Sequence, residues 1–273
     1  MSATTGERYV ACYKWVLDEE DIRVNDDLSV DMSRATGKLS DFDHNAIEAA
    51  MRASETPGSQ EAGIRVHTLT FGNAEVSRSL KDALSRGPEE GWIIASERAD
   101  TADGRVTAQA LVAGIKAMGE VSCVFAAEGA SDTYARQIPA RIAALLDWPL
   151  VSSVLDMSVD GDVLTATRKL DDCLQKVKVM LPAVVSVLPE NYEPRTPGLK
   201  AVMAAGRKPT HELGLAELGF DPADPGAEQM VPRRSDVFET GYVAERKNII
   251  FKNMSAAEAA DELVAALRKE GVV

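Results

Sequence analysis

The sequence predicts an α/β fold: an open, mainly parallel, twisted sheet with helices on both faces, plus a β-hairpin and an extended C-terminal arm ending in a helix. Three observations lead there. Short apolar runs rich in Val and Ile recur along the chain, and helical apolar stripes alternate with them. That alternation holds to about residue 150, the order of a mononucleotide-binding unit.

The apolar runs are Tyr9 to Trp15, Ile64 to Phe71, Trp92 to Ala95, Val121 to Ala127 and Ala183 to Leu188. Between them Ala46, Ile47, Ala50 and Met51 mark one helix face. Val76, Leu80, Ala83 and Leu84 mark a second, with Gly87 as the expected C-terminal cap. Val106, Ala110, Leu111 and Ile115 form a third face, and Ile142, Leu145 and Leu146 a fourth. From Val151 to Met180 the pattern changes: Val177 and Val179 alternate with Lys176 and Lys178, which predicts an antiparallel hairpin turning at Asp171-Asp172. Pro189, Pro194, Pro197 and Pro209 then punctuate a loop, and the Gly-, Pro- and acid-rich stretch from Thr210 to Pro232 predicts a linker. Ser255 with Glu258 three residues on is a capping box, opening an amphipathic helix through Leu263, Val264 and Leu267 that needs a surface to lie on. The expected organisation is an α/β domain over 1–190, a loop and short helix over 191–209, a linker over 210–236 and a C-terminal arm over 237–273.

Acidic residues outnumber basic ones by 43 to 30 in 273 residues, and the formal charge of -13 excludes nucleic acid as a partner. No stretch approaches the roughly 18 uninterrupted apolar residues of a membrane span, so a cytoplasmic protein without membrane insertion is expected. Cys12, Cys123 and Cys173 are odd in number and lack a CxxC spacing, which predicts reduced, buried thiols. No GxxxxGK[ST], GxGxxG or GxSxG motif occurs. His44, His67 and His211 are far apart in sequence, so no metal site is expected. A nucleotide-type sheet without a catalytic constellation points to holding a cofactor or docking a partner.

The segment LPAVVSVLPENYEPRTPGLKAVMAAGRKP, Leu181 to Pro209, with Glu193-Pro194-Arg195 and Leu199 at its core, resembles the most recognisable part of the electron transfer flavoprotein beta subunit family. VACYKWVLD at Val10 to Asp18, LSDFDHNAIEAAMR at Leu39 to Arg52 and LLDWPLVSSV at Leu145 to Val154 resemble further segments of it, in the right order. The resemblance implies an adenine nucleotide alpha hydrolase-like sheet. It also implies an electron-transfer subunit without independent catalysis, paired with a separately encoded alpha subunit that binds the redox-active FAD. The beta subunit itself holds AMP or, in bifurcating members, a second FAD.

By position, the family's nucleotide contacts fall on Cys12, on Ser40, Asp41, Phe42 and Asp43, and on Phe71 and Gly72. The last group is Asp132, Thr133, Tyr134, Ala135, Arg136, Gln137, Ile138, Pro139, Ala140 and Arg141. All lie where strands hand over to helices, the place where an open parallel sheet binds ligands. A phosphate is expected at the start of the helix after Asp132, with Arg136 and Arg141 adding positive charge. The chain departs from the family in having Ser40 where Asn is usual, and Gln137-Ile138-Pro139 where a Gln-hydroxyl-Gly run is usual, which leaves the nucleotide open.

The loop from Asn191 to Met203 resembles the family's recognition loop, in which Leu199 would anchor partner dehydrogenases or a quinone oxidoreductase. The residue pattern alone also allows Leu199 to be a core contact of the following helix. Glu193 and Arg195 would support the loop by an ion pair or lie near the partner's flavin. Two alternatives stand beside the electron-transfer subunit: a bifurcating subunit using NADH, and a stand-alone adenine-nucleotide-binding protein.

Overall fold

The structure, a computed structural model, describes residues 8–190, 192–219 and 247–272. It divides into two units, Met1–Arg23 with Asp31–Val237, and Val24–Val30 with Phe238–Val273. The chain opens with β1 (Arg8–Cys12) and β2 (Trp15–Leu17), makes a short ribbon of β3 (Arg23–Val24) and β4 (Val30–Asp31), and returns as β5 (Gly37–Leu39). Helices α1 (Asp41–Ser54) and α2 (Pro57–Glu61) lead to β6 (Arg65–Gly72), α3 (Leu80–Ser85) to β7 (Glu90–Ala95), and α4 (Gly104–Ala117) to β8 (Val121–Ala127). After α5 (Ile138–Leu146) come β9 (Leu150–Asp160), β10 (Val163–Lys169), β11 (Leu174–Met180) and β12 (Ala183–Val187). The larger unit then adds α6 (Leu199–Ala205) and β13 (Thr210–Gly214), and the smaller unit contains α7 (Ala256–Lys269).

One nine-stranded sheet has the order β11-β10-β9-β12-β8-β1-β6-β7-β13. Pairing is parallel from β9 through to β13 and antiparallel only among β9, β10 and β11. Every residue of β8 and β12 is buried, as expected of strands covered on both faces. Successive side chains feed two cores. Tyr9, Ala11, Phe125 and Val185 pack with Ile47 and Ala50 of α1, while Val10, Cys12, Val124 and Val184 pack with Leu111 and Ile115 of α4 and Ile142 of α5. From β1 the chain moves outward to β6 and β7, then crosses back to β8 on the other side of β1. A crevice is therefore left outside the carboxyl ends of β1 and β8.

Several expectations are refined. The first apolar run ends as a sheet strand at Cys12. Tyr13 N–H still reaches Leu69 C=O at 3.1 Å, but Trp15–Leu17 peels away to pair antiparallel with β5. The hairpin expected over Val151 to Met180 is a three-stranded meander, because Gly161 (φ 55°) makes a tight turn ahead of the one at Asp171-Asp172. The linker expected from residue 210 does not start there: Thr210–Gly214 extends the sheet beside β7. The rest of that stretch, 220–236, lies outside the described residues, as do 237–246 of the arm and Asn191 of the loop. Val76 belongs to a 3₁₀ turn, Ala74–Ser79, preceding α3. Cys173 is exposed at the β10–β11 turn, unlike buried Cys12 and Cys123.

His67 and His211, distant in sequence, both approach Glu90, at 3.7 and 2.9 Å, and Trp92 stacks on His211 with ring centroids 4.0 Å apart. Strand register brings them together, since His67 pairs with Glu90 and His211 with Trp92. Among the described residues no group of three or more His, Cys, Asp or Glu is arranged to hold a metal ion.

The C-terminus of α3 has an unusual cap. Gly87 takes φ 127°, which only glycine adopts freely, and the Lys208 ammonium donates to the carbonyls of Leu84, Gly87 and Pro88 at 2.8, 3.0 and 2.6 Å. Lys208→Met is expected to lower unfolding free energy by about 1–2 kcal/mol, since three part-buried acceptors lose a charged donor. Urea denaturation reads this; an unchanged midpoint would show that water replaces the ammonium fully.

In the smaller unit, α7 carries the capping box complete, with the Ser255 side chain accepting from Glu258 N–H and Glu258 accepting from Ser255 N–H. None of its residues is buried, and Leu263 and Val264 remain exposed.

Candidate functional site

Two hydrogen bonds tie the end of β1 to the start of α1, and a third closes the first turn of the helix. Lys14 N–H donates to the Asp43 carboxylate at 2.8 Å, Ser40 N–H donates to Lys14 C=O at 3.0 Å, and Asp43 N–H donates to Ser40 C=O at 3.0 Å. Ser40 occupies the N-cap of α1 yet makes no side-chain cap. Its fully buried hydroxyl oxygen instead accepts from Ser131 N–H at 3.1 Å, which binds the loop after β8 to α1. The short polar side chain has thus been diverted from helix capping to bracing a loop.

The crevice encloses about 440 Å³, the size of a small-molecule site. Its buried lining is apolar over Cys12, Tyr13, Phe71, Leu111, Ala126 and Ala127, with the buried Asp43 as its one ionisable carboxyl. One wall is the N-terminus of α4, where Asp103 caps the helix by accepting from Arg105 and Val106 N–H at 2.9 and 2.8 Å. Gly104 follows, and a Cβ there would stand 2.8 Å from Gln137 Oε1 across the crevice, so a side chain would have to displace that amide. The opposite wall is the loop Glu128–Gln137 and the first turn of α5. In that loop Tyr134 (φ 43°) and Arg136 (φ 56°) occupy the left-handed region, a strained choice for residues with side chains. Both fold back on Glu128: the Tyr134 hydroxyl donates to it, and Arg136 pairs with it at 2.9 Å. Lys14 is paired with Asp132.

Of the expected contacts, Cys12, Asp43, Phe71, Thr133, Ala135, Arg136, Gln137, Ile138 and Pro139 line the crevice. The others do not. Ser40 is a brace behind it, Asp41 pairs with Lys38 at 3.2 Å, Phe42 packs edge-on against Tyr134 at 5.3 Å, and Asp132 holds Lys14. Gly72, Tyr134, Ala140 and Arg141 also stand outside the lining, and Arg141 is held by Gln137 Oε1 at 3.2 and 3.0 Å. The helix expected soon after Asp132 begins only at Ile138, with Pro139 in its first turn. Sequence reasoning missed the α4 wall (Ala102, Asp103, Gly104, Thr107, Leu111) and Glu128. The signal was available: Asp103 before a helical stripe is an N-cap at a strand-to-helix turn, where ligands of such sheets lie.

Burial pushes the Cys12 thiol up to about 12, with the Asp43 charge adding to it, so the sulfur is a neutral, apolar part of the lining. Burial likewise pushes the Asp43 carboxyl up to about 7, against the opposing pull of Lys14 N–H, the Ser40 hydroxyl and the Lys14 charge.

A second feature lies apart from the crevice. The Asn45 side chain donates to the carbonyls of Pro189 and Tyr192 at 2.7 and 2.6 Å, and Tyr192 donates to Asp156 at 2.8 Å. Arg195 binds buried Glu48 through its backbone N–H at 3.1 Å and its Nε at 2.7 Å, and its other nitrogens reach Glu55. Its ion-pair partners are therefore Glu48 on α1 and Glu55 at the C-cap of that helix, and not Glu193, which is exposed. From this braced segment Leu199 projects 78% exposed, with Met203 one turn on at 64%. Leu199 is therefore a surface residue and not a core contact.

The fold and crevice define a parallel α/β protein with a ligand-sized opening at the switch point of its sheet. A family model of the electron transfer flavoprotein domain matches residues 27–218, well over half of the chain, and the protein belongs to that family. The family consists of flavin-associated electron carriers. Among the described residues no helix is long and apolar enough to cross a membrane.

Proposed function

We propose that this chain is the beta subunit of a heterodimeric electron transfer flavoprotein. It holds an adenine nucleotide, AMP or FAD, in the crevice and docks dehydrogenases or a quinone oxidoreductase, while electrons pass through the FAD of a separate alpha subunit. The observation that carries this reading is the apolar crevice at the switch point of the sheet in a chain of this family. The lining suits a carrier subunit. It offers an apolar bed for a flat ring system and a buried carboxylate able to accept from a hydroxyl or amine, and its thiol is held neutral. The segment carrying Leu199 suits docking, since a braced backbone leaves little entropy to lose when an exposed leucine is buried. The uncovered apolar residues of α7 suit contact with the alpha subunit.

Co-expression with the alpha subunit is expected to give a yellow 1:1 complex from which acid releases flavin and an adenine nucleotide. Recovery of a stable, colourless monomer that binds neither would refute the proposal. Leu199→Ser is expected to leave urea stability within about 0.5 kcal/mol of wild type, as for other exposed positions. It should also reduce electron delivery from the partner dehydrogenase by roughly tenfold, a loss typical of a docking anchor. Unaltered delivery would remove Leu199 from the docking surface.

A further inference from the structure

We propose that the crevice takes the uncharged nucleoside end of its ligand and disfavours phosphate inside it, with Glu128 as the discriminating group. This rests on the adenine-nucleotide reading above and specifies which part of that ligand the crevice selects. Two cations line the crevice, and each already has a carboxylate: Lys14 pairs with Asp132, and Arg136 with Glu128 at 2.9 Å. Asp103 stands beside Glu128 and Asp132 as a third carboxylate, so the carboxylates at the crevice outnumber its two cations. A phosphate entering it must either break one of those pairs or lie against carboxylates that no unpaired cation of the lining offsets.

The start of α5 does not offset this. Pro139 in the first turn has no N–H to donate, Gln137 at the N-cap makes no side-chain cap, and its side-chain oxygen is occupied by Arg141. Arg136 is the cation best placed to greet an anion, but it is 59% exposed, and Glu128, whose side chain is only 11% exposed, holds it. The Tyr134 hydroxyl also donates to Glu128, and Glu128 N–H donates to Val187 C=O at 3.1 Å, so the carboxylate is fixed at the carboxyl end of β8. An uncharged nucleoside meets none of these obstacles. The apolar bed accepts its rings, and buried Asp43 accepts a hydrogen bond from an amine or a hydroxyl. Phosphates of a longer ligand are thereby directed outward to solvent.

The test is isothermal titration of the full-length protein, stripped of nucleotide, with adenosine and with AMP at fixed salt. Wild type is expected to bind AMP no more than about threefold more tightly than adenosine. Glu128→Gln, which keeps an acceptor for Tyr134 but removes the charge, is expected to raise AMP affinity about tenfold and leave adenosine within about twofold. Asp132→Asn, which frees Lys14, is expected to shift the AMP-to-adenosine ratio in the same direction and serves if the first variant does not fold. A wild-type preference for AMP above about threefold, or a ratio unmoved in the variants, overturns the inference while leaving adenine binding intact. Failure of both compounds to bind any form of the protein sinks the adenine-nucleotide reading itself, and this inference with it.

Discussion

Replacing Glu48 by alanine is expected to lower the unfolding free energy by about 3 kcal/mol, the range for removing one partner of a buried ion pair after allowing for the partial exposure of its arginine. Glu48 sits on α1 with its side chain 4% exposed, and despite burial, which raises its pKa, hydrogen bonds from Arg195 and Arg52 hold it below the ordinary carboxylate value. Its loss strands the Arg195 guanidinium and leaves Arg195 N–H without its acceptor, so the segment before Leu199 should loosen as well. Glu55→Ala removes only the outer half of the network, from a carboxylate 48% exposed, and is expected to change stability by less than about 1 kcal/mol. Urea denaturation compares the two variants, and hydrogen exchange over residues 192–198 reports the loosening. Equal effects from the two variants would show that the burial of Glu48 carries no special weight.

Asp43 is expected to make the protein lose stability as pH rises through the weakly acidic range. Its carboxyl is pushed from an ordinary 3.8 up to about 7, chiefly by burial, so the folded state favours the protonated form. The stability linked to this group is fully present below about pH 4, falls between about pH 4 and pH 7, and is level above. Lys14 and Asp132, the charges that act on it, oppose each other, Lys14 lowering and Asp132 raising its pKa. Asp43→Asn has no such titration. Relative to wild type it should gain up to about 4 kcal/mol between pH 4 and pH 8, at about 1.4 kcal/mol for each unit by which the pKa is displaced. A pH series of urea unfolding curves for both proteins measures this. If the two stability profiles run parallel from pH 4 to pH 8, Asp43 is ionised in the fold at an ordinary pKa.

The two predictions concern residues that the sequence treats very differently. Asp43 falls among the expected nucleotide contacts, whereas nothing local marks Glu48, one of several charges on an amphipathic helix. Its partner Arg195 is 147 positions away and meets it only because β12 lies beside β8 and returns the chain over α1. The same holds for Lys208, whose three acceptors cap a helix more than a hundred residues earlier.

The sequence by itself determined the central strands and main helices and their order, but not the third strand of the meander or the strand at Thr210–Gly214. Val121 to Ala127 and Ala183 to Val187 read as strands because a strand buried on both faces must be apolar throughout, and Ser255 with Glu258 reads as a helix start because the capping box is a local geometry. Family-matched positions such as Cys12, Phe71 and Ile138 could be read in the same way, since ligands of such sheets lie at strand-to-helix turns. Only the tertiary structure decided which polar side chains face one another. It showed that Ser40 braces Ser131 instead of capping α1, that Glu128 and Asp132 neutralise the cations of the crevice, and that Thr210–Gly214 finds a place beside β7. Hydrophobic period and capping are fixed by neighbours within a few residues, whereas the pairing of charges depends on which strands adjoin, and the crossovers of the sheet set that.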